Sequence, residues 1–228
     1  MRGHDARAGD SVSNWLDAVL AGIMLTNLLL IVAGRLSTVI RLLALQGLLL
    51  AAVPVVAQWP GLDPALYAVT GVNLAVKSLA FPWLLAWTAR KVNITRDLEP
   101  LVHPLVSVLF GVVALVASIG LGARLQPPGG ALSEIAVPVA MFTILTGLFL
   151  IIARRKALSQ VAGYLVLENG IFAFGTSVAW EQAVIVELAI LLDIFVAVFV
   201  MGITVFQIGR EFDSIDVGEL SALKDTRR

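Results

Sequence analysis

The sequence predicts an all-α polytopic membrane protein with seven transmembrane helices, on three observations. Hydrophobic residues make up 59% of the 228, charged residues only 14%, and the mean hydropathy is +0.93. A soluble chain carries about 45–50% apolar and roughly 25% charged residues, so too little polar surface remains here to cover a water-soluble core. The apolar residues gather into seven runs, each close to the ~20 residues that cross a bilayer. Lysine and arginine then fall unevenly between alternate loops, as the positive-inside rule requires of a spanning chain.

In chain order the expected spans are 15–34, 38–58, 65–89, 104–123, 132–153, 158–179 and 183–207. Each break has a local cause. A polar tail, 1–14, precedes the first span; it has no leader-peptide cleavage pattern. Gln58-Trp59-Pro60-Gly61 is a turn cluster after the second span. Arg90-Lys91 and the polar stretch to Pro100 close the third, and Gln126-Pro127-Pro128-Gly129-Gly130 separates the fourth from the fifth. Arg154-Arg155-Lys156 separates the fifth from the sixth, and Trp180-Glu181-Gln182 leaves room only for a tight antiparallel connection to the seventh. Trp15, Trp59 and Trp180 fall at span ends, where interfacial aromatic residues gather.

Orientation follows from the basic residues. Arg35, Arg41, Arg90, Lys91, Arg96, Arg154, Arg155, Lys156, Arg210, Lys224, Arg227 and Arg228 share one side; Arg2, Arg7 and Arg124 lie on the other. Twelve against three puts the C-terminus in the cytoplasm and the N-terminus outside. The organisation expected is the tail 1–14, a five-helix membrane part 15–153, a helix pair 154–208 and a cytoplasmic tail 209–228.

Composition removes several function classes. Sixteen Lys plus Arg balance sixteen Asp plus Glu, so nothing favours nucleic acid as a partner. The chain has no cysteine, which excludes disulfides, thiolate metal sites and iron–sulfur ligation on it. Its two histidines, His4 and His103, stand in a polar tail and beside a proline. No catalytic centre, cofactor site or metal site is expected on this chain.

The informative residues are the charges placed at bilayer depth. Lys77 lies near the middle of span three, Glu168 near the middle of span six, and Glu187 and Asp193 in span seven. Each ionised side chain costs at least about 2.5–3.5 kcal/mol there, so all four must face the bundle interior and be paired, hydrated or neutralised by a proton. Groups that switch between those conditions make a proton path; groups locked in one of them only fix helix packing. Glu187 and Asp193 are six residues apart, about 120° around a helix, so they cannot face one partner alike. Glu168 and Glu187 are therefore read as successive stations, with Lys77 and Asp193 as further members. Pro82, five residues after Lys77, is expected to kink span three and free a carbonyl near the lysine. Gly163, Gly170 and Ser177 recur every seven residues, a small-residue stripe for close helix approach. Asn27, Gln46 and Asn73 read as helix–helix hydrogen-bond glue.

The string Gly163-Tyr164-Leu165-Val166-Leu167-Glu168-Asn169-Gly170, the basic loop before it, Val186-Glu187-Leu188-Ala189-Ile190, Leu192-Asp193-Ile194-Phe195 and the tail Asp216–Lys224 resemble component E of the membrane-bound hydrogenase-4 and formate hydrogenlyase group. The segment around Lys77, Pro82 and Ala89-Arg90 looks like the same family. Its last three helices are similar to the K-type (4L) subunit of respiratory complex I and to the C-type subunit of multisubunit cation/proton antiporters. Those subunits carry glutamates in two adjacent helices, which would match Glu168 and Glu187 here. The resemblance implies a non-catalytic membrane-arm subunit of a proton-translocating, complex-I-like [NiFe] hydrogenase in a bacterial or archaeal cytoplasmic (inner) membrane. It implies antiporter-like membrane partners and peripheral hydrogenase and iron–sulfur subunits, with the NiFe and iron–sulfur centres on those chains. Lys77 and Asp193 have no counterpart in the K-type subunit. The alternatives are a scaffold that anchors redox subunits, a subunit of a cation/proton antiporter complex, a stand-alone transporter, and, most remotely, a seven-helix receptor.

Overall fold

The computed structural model describes residues 2–57, 70–72, 74–91, 102–125, 133–178, 195, 198, 201 and 202. The described residues are helical apart from short connections. Among the described residues, five helices are long and apolar enough to cross a membrane: Ser13–Val32, Leu36–Ala57, Pro104–Gly122, Ala136–Ala153 and Ala157–Val178. They coincide with expected spans one, two, four, five and six. The third expected span is described from residue 70 on, and the seventh lies outside the described residues except for helical positions 195, 198, 201 and 202.

Helix α1 (Arg2–Val32) starts well before its apolar stretch, so residues expected as a polar tail are helical. It ends where Gly34 and Arg35 turn the chain, and the Arg35 carbonyl accepts the amides of Thr38 and Val39 to start α2 (Leu36–Ala57). A π-helical stretch, Ala75–Ala80, runs directly into α3 (Phe81–Lys91). Helix α4 (Pro104–Gly122) has His103 as its cap: Nδ1 accepts the Leu105 amide at 3.3 Å, and Pro104 fills the first helical position, where no amide is needed. Helices α5 (Ala136–Ala153) and α6 (Ala157–Val178) form the most intimate pair among the described helices.

Glycine explains that intimacy. A Cβ on Gly147 would collide with the Leu167 backbone; on Gly163 it would lie 2.8 Å from the Ile151 nitrogen, and on Gly170 2.6 Å from that of Ile144. Such small residues let backbones approach in a bilayer, where packing must replace the hydrophobic drive. The seven-residue stripe is thus confirmed at Gly163 and Gly170, and Ser177 on the same face is buried. Helix α4 uses a similar device: Ser107, Gly111, Ala114 and Ser118 face inward, while Leu109, Val112, Val113 and Val116 point out. Such an apolar outer surface suits lipid and not water.

The core is layered. One apolar cluster gathers Leu30, Leu36, Leu43, Leu85, Leu158 and Leu165 at one end of the bundle. A second gathers Leu16, Leu20, Ile23, Leu50, Val139 and Ala173 toward the other. The first end carries the basic loops. Arg154 Nη2 donates to the Ala33 carbonyl at 2.8 Å, which sets the α5–α6 connection against the end of α1. Burial holds this guanidinium below its ordinary pKa; the hydrogen bond and the negative end of the α1 dipole favour its charge. At the opposite end, Ser133 Oγ donates to Asp17 Oδ1 at 2.5 Å and ties the start of α5 to α1.

Candidate functional site

Between the two apolar clusters lies a polar layer near mid-span. Asn27 sits between Ile23 and Leu30, Gln46 between Leu43 and Leu50, and Glu168-Asn169 between Val166 and Ala173, all on buried faces. Four helices contribute to one hydrogen-bonded chain. Asn169 Nδ2 on α6 donates to Gln46 Oε1 on α2 at 3.1 Å. Gln46 Nε2 donates to Asn27 Oδ1 on α1 at 2.8 Å, and Asn27 Nδ2 donates to Thr143 Oγ1 on α5 at 2.7 Å. The Thr143 hydroxyl in turn donates to the Val139 carbonyl within its own helix. The expected role of Asn27 and Gln46 as interhelical glue is confirmed; Asn73 lies outside the described residues.

Beside this chain, Lys77 Nζ forms an ion pair and hydrogen bond with Glu168 Oε1. The residues are 4% and 2% exposed, which puts both charges inside the bundle and away from lipid. The lysine also stands over the Phe172 ring, 5.0 Å from its centroid, one turn along α6. An aromatic face stabilises a desolvated ammonium that water would otherwise solvate.

The local sequence explains how Lys77 gets there. Pro82 has no amide, so an α-helix through it loses a hydrogen bond and its ring crowds the preceding turn. The chain responds with a π-helical stretch in which the Phe81 amide reaches back five residues to the Val76 carbonyl. The expectation is a kink with a carbonyl freed near the lysine; what the structure shows beside the lysine is a widened turn. Gly47 permits the approach of α2, since a Cβ there would lie 2.8 Å from the Lys77 carbonyl carbon.

Each position of Leu167-Glu168-Asn169-Gly170 thus has a distinct task. Leu167 and Gly170 press their backbone faces against α5, Glu168 takes Lys77, and Asn169 takes Gln46. Four consecutive residues cover more than a helical turn, so one short string addresses three neighbouring elements. Thr143 stands in no motif, and Asn169 enters one only as a member of the Leu-Glu-Asn-Gly string. Their signal was polar character at mid-span depth in adjacent helices. Glu187 and Asp193 fall outside the described residues, so the structure places Lys77 and Glu168 of the four expected path members. Among the described residues, no three His, Asp or Glu side chains gather as a metal site would require.

No protein-family model and no solved structure matches the chain. Two kinds of relative do. The chain is 34% identical over 213 residues to the uncharacterized protein Rv0085 of Mycobacterium tuberculosis, covering 92% of this chain and 96% of that one. It is 31% identical over 150 residues to hydrogenase-4 component E of Escherichia coli K12, and equally to that of Shigella flexneri, covering 65% of this chain and 68% of each relative. With the apolar helical bundle and the Leu-Glu-Asn-Gly string in its packed helix, the chain belongs to the hydrogenase-4 component E family.

Proposed function

We propose that this chain is a non-catalytic membrane-arm subunit of a proton-translocating, complex-I-like [NiFe] hydrogenase of the hydrogenase-4 type, and that Glu168 is a proton carrier in it. The buried Lys77–Glu168 pair is the observation that supports this reading most directly. At that depth the pair is electrically neutral as a whole, and a proton shifted from Nζ to the carboxylate leaves it neutral. An added or withdrawn proton leaves one uncompensated charge in a low dielectric, which is costly unless a neighbouring acid or base takes it up. A proton arriving at Glu168 is therefore favoured to move on, and Glu187 in the next span is the station we assign, with Asp193 beyond it. The amide chain ending at Asn169 holds the adjacent backbone, so the carboxyl can change protonation without the helices separating. The hydrogenase chemistry and its NiFe and iron–sulfur centres belong to partner chains. Antiporter-like membrane subunits would continue the path along the arm of a cytoplasmic membrane.

Glu168→Gln in the assembled complex tests the proposal. The amide keeps the size and an acceptor for Lys77, so subunits should still co-purify while coupled proton transport falls. Unchanged transport in a fully assembled variant would leave the chain as a scaffold for redox subunits. Stable, active carriage by the purified chain alone would instead make it a stand-alone transporter.

A further inference from the structure

A groove of about 380 Å³ opens between the start of α2 and the end of α3, on the basic end of the bundle. Its apolar floor comes from Leu36, Ile40 and Ala89, and its rim from Ser37, Arg41 and Arg90. Both arginines are exposed, and among the described residues no acidic side chain lines the groove. Arg41 makes no hydrogen bond or ion pair with the described residues; Arg90 uses Nε on the Ala86 carbonyl at 3.2 Å and leaves its Nη groups available. Two guanidinium groups thus flank one slot from two helices, with no acidic partner among the described residues, at the basic end of the bundle.

We infer that this groove is a binding site for an anionic phospholipid, with the phosphodiester held by Arg41 and Arg90 and the upper acyl chain lying along Leu36, Ile40 and Ala89. Guanidinium matches phosphate oxygens in a planar, bidentate geometry, and basic pockets between spanning helices are suited to such headgroups. The volume lies in the ~300–1,000 Å³ range of small-molecule sites. The apolar floor is what distinguishes a lipid from a free phosphate: a bare anion has no use for it. The site is independent of the Lys77–Glu168 pair, so either can fail without the other.

Native mass spectrometry of the purified full chain in mild detergent tests this, with phosphatidylglycerol and phosphatidylcholine of matched acyl chains as probes. Wild type should favour phosphatidylglycerol by roughly ten- to thirtyfold, the scale of two cations acting on one headgroup. The Arg41→Gln/Arg90→Gln variant should lose that preference, and Arg41→Lys/Arg90→Lys should keep part of it. Ile40→Trp, which fills the slot with both arginines in place, should weaken phosphatidylglycerol binding while helical circular dichroism stays unchanged. Equal binding of both lipids by wild type, or retained preference in the Gln or Trp variant, would overturn the proposal. Complete displacement of phosphatidylglycerol by inorganic phosphate would make it a free-anion site. A photo-crosslinker at position 41 that captures a partner polypeptide instead of lipid in the intact complex would make it a protein contact.

Discussion

The Lys77–Glu168 pair can be probed energetically with a double-mutant cycle. Glu168→Leu strips the lysine of its counter-charge at a position that is 2% exposed, where neither water nor lipid headgroups can replace it. Removing one partner of such a buried pair costs about 3–5 kcal/mol, because the survivor stands uncompensated. Lys77→Met should cost a similar amount, limited by the ability of Glu168 to take up a proton and stand neutral. It also forfeits the contact with Phe172, worth about 2 kcal/mol where the cation is desolvated. The double variant removes both charges together and should recover most of the loss, since an apolar pair of similar volume is often as stable as the ion pair it replaces. Glu168→Gln should be milder, about 1–2 kcal/mol, because its amide oxygen still accepts from Nζ. Unfolding in mixed detergent micelles, followed by tryptophan fluorescence, measures all four variants. A coupling energy of roughly 3 kcal/mol or more is expected, at the top of the range for residues in contact. Single-variant losses that add to within about 0.5 kcal/mol would show that the two charges do not sense each other, and the reasoning above would fail.

Four other variants probe the packing, the amide chain and the Arg154 contact. Gly147→Ala should force α5 from α6 against the Leu167 backbone and cost about 1–3 kcal/mol; Gly120→Ala, with no described residue within 4 Å of the new methyl, should be neutral or gain up to about 1 kcal/mol in the same unfolding assay. Gln46→Leu leaves Asn27 Oδ1 without its donor and Asn169 Nδ2 without its acceptor. Polar contacts between spanning helices average about 0.6 and reach about 1.7 kcal/mol, and two orphaned groups place this change at the upper end, measurable as a fall in thermal midpoint. Arg154→Met removes the donor to the Ala33 carbonyl; faster proteolysis in the α1–α2 connection, with the other loops unaffected, is the expected signature.

The sequence made the spans legible because a bilayer imposes a length and a composition that no other environment demands. Five expected spans lie over five observed helices. Hydropathy marks the membrane-crossing stretch of α1 and not where the helix itself begins, because a polar segment can be helical without any apolar signal to mark it. The small-residue stripe on α6 and the amide roles of Asn27 and Gln46 were readable for the same reason: mid-span positions where lipid tolerates neither bulk at a close crossing nor an unbonded amide. The pairing of Lys77 with Glu168 was not readable. The sequence showed that both must escape lipid, but 91 residues separate them, and only the packing of α2 and α6 around the π-helical stretch decides that they meet. The same limit applied to Asn169 and Thr143, which gain meaning only as the two ends of a chain through α1 and α2.

Infrared difference spectroscopy of the assembled complex, comparing resting and turning-over enzyme, addresses the central claim most directly. A protonated carboxyl in a dry interior gives a carbonyl stretch well separated from that of a carboxylate. The account predicts a carboxyl band that changes with turnover, shifts in deuterated water and disappears in Glu168→Gln. A band set identical in wild type and Glu168→Gln would mean that this carboxyl holds one protonation state throughout, and would contradict the assignment of Glu168 as a carrier.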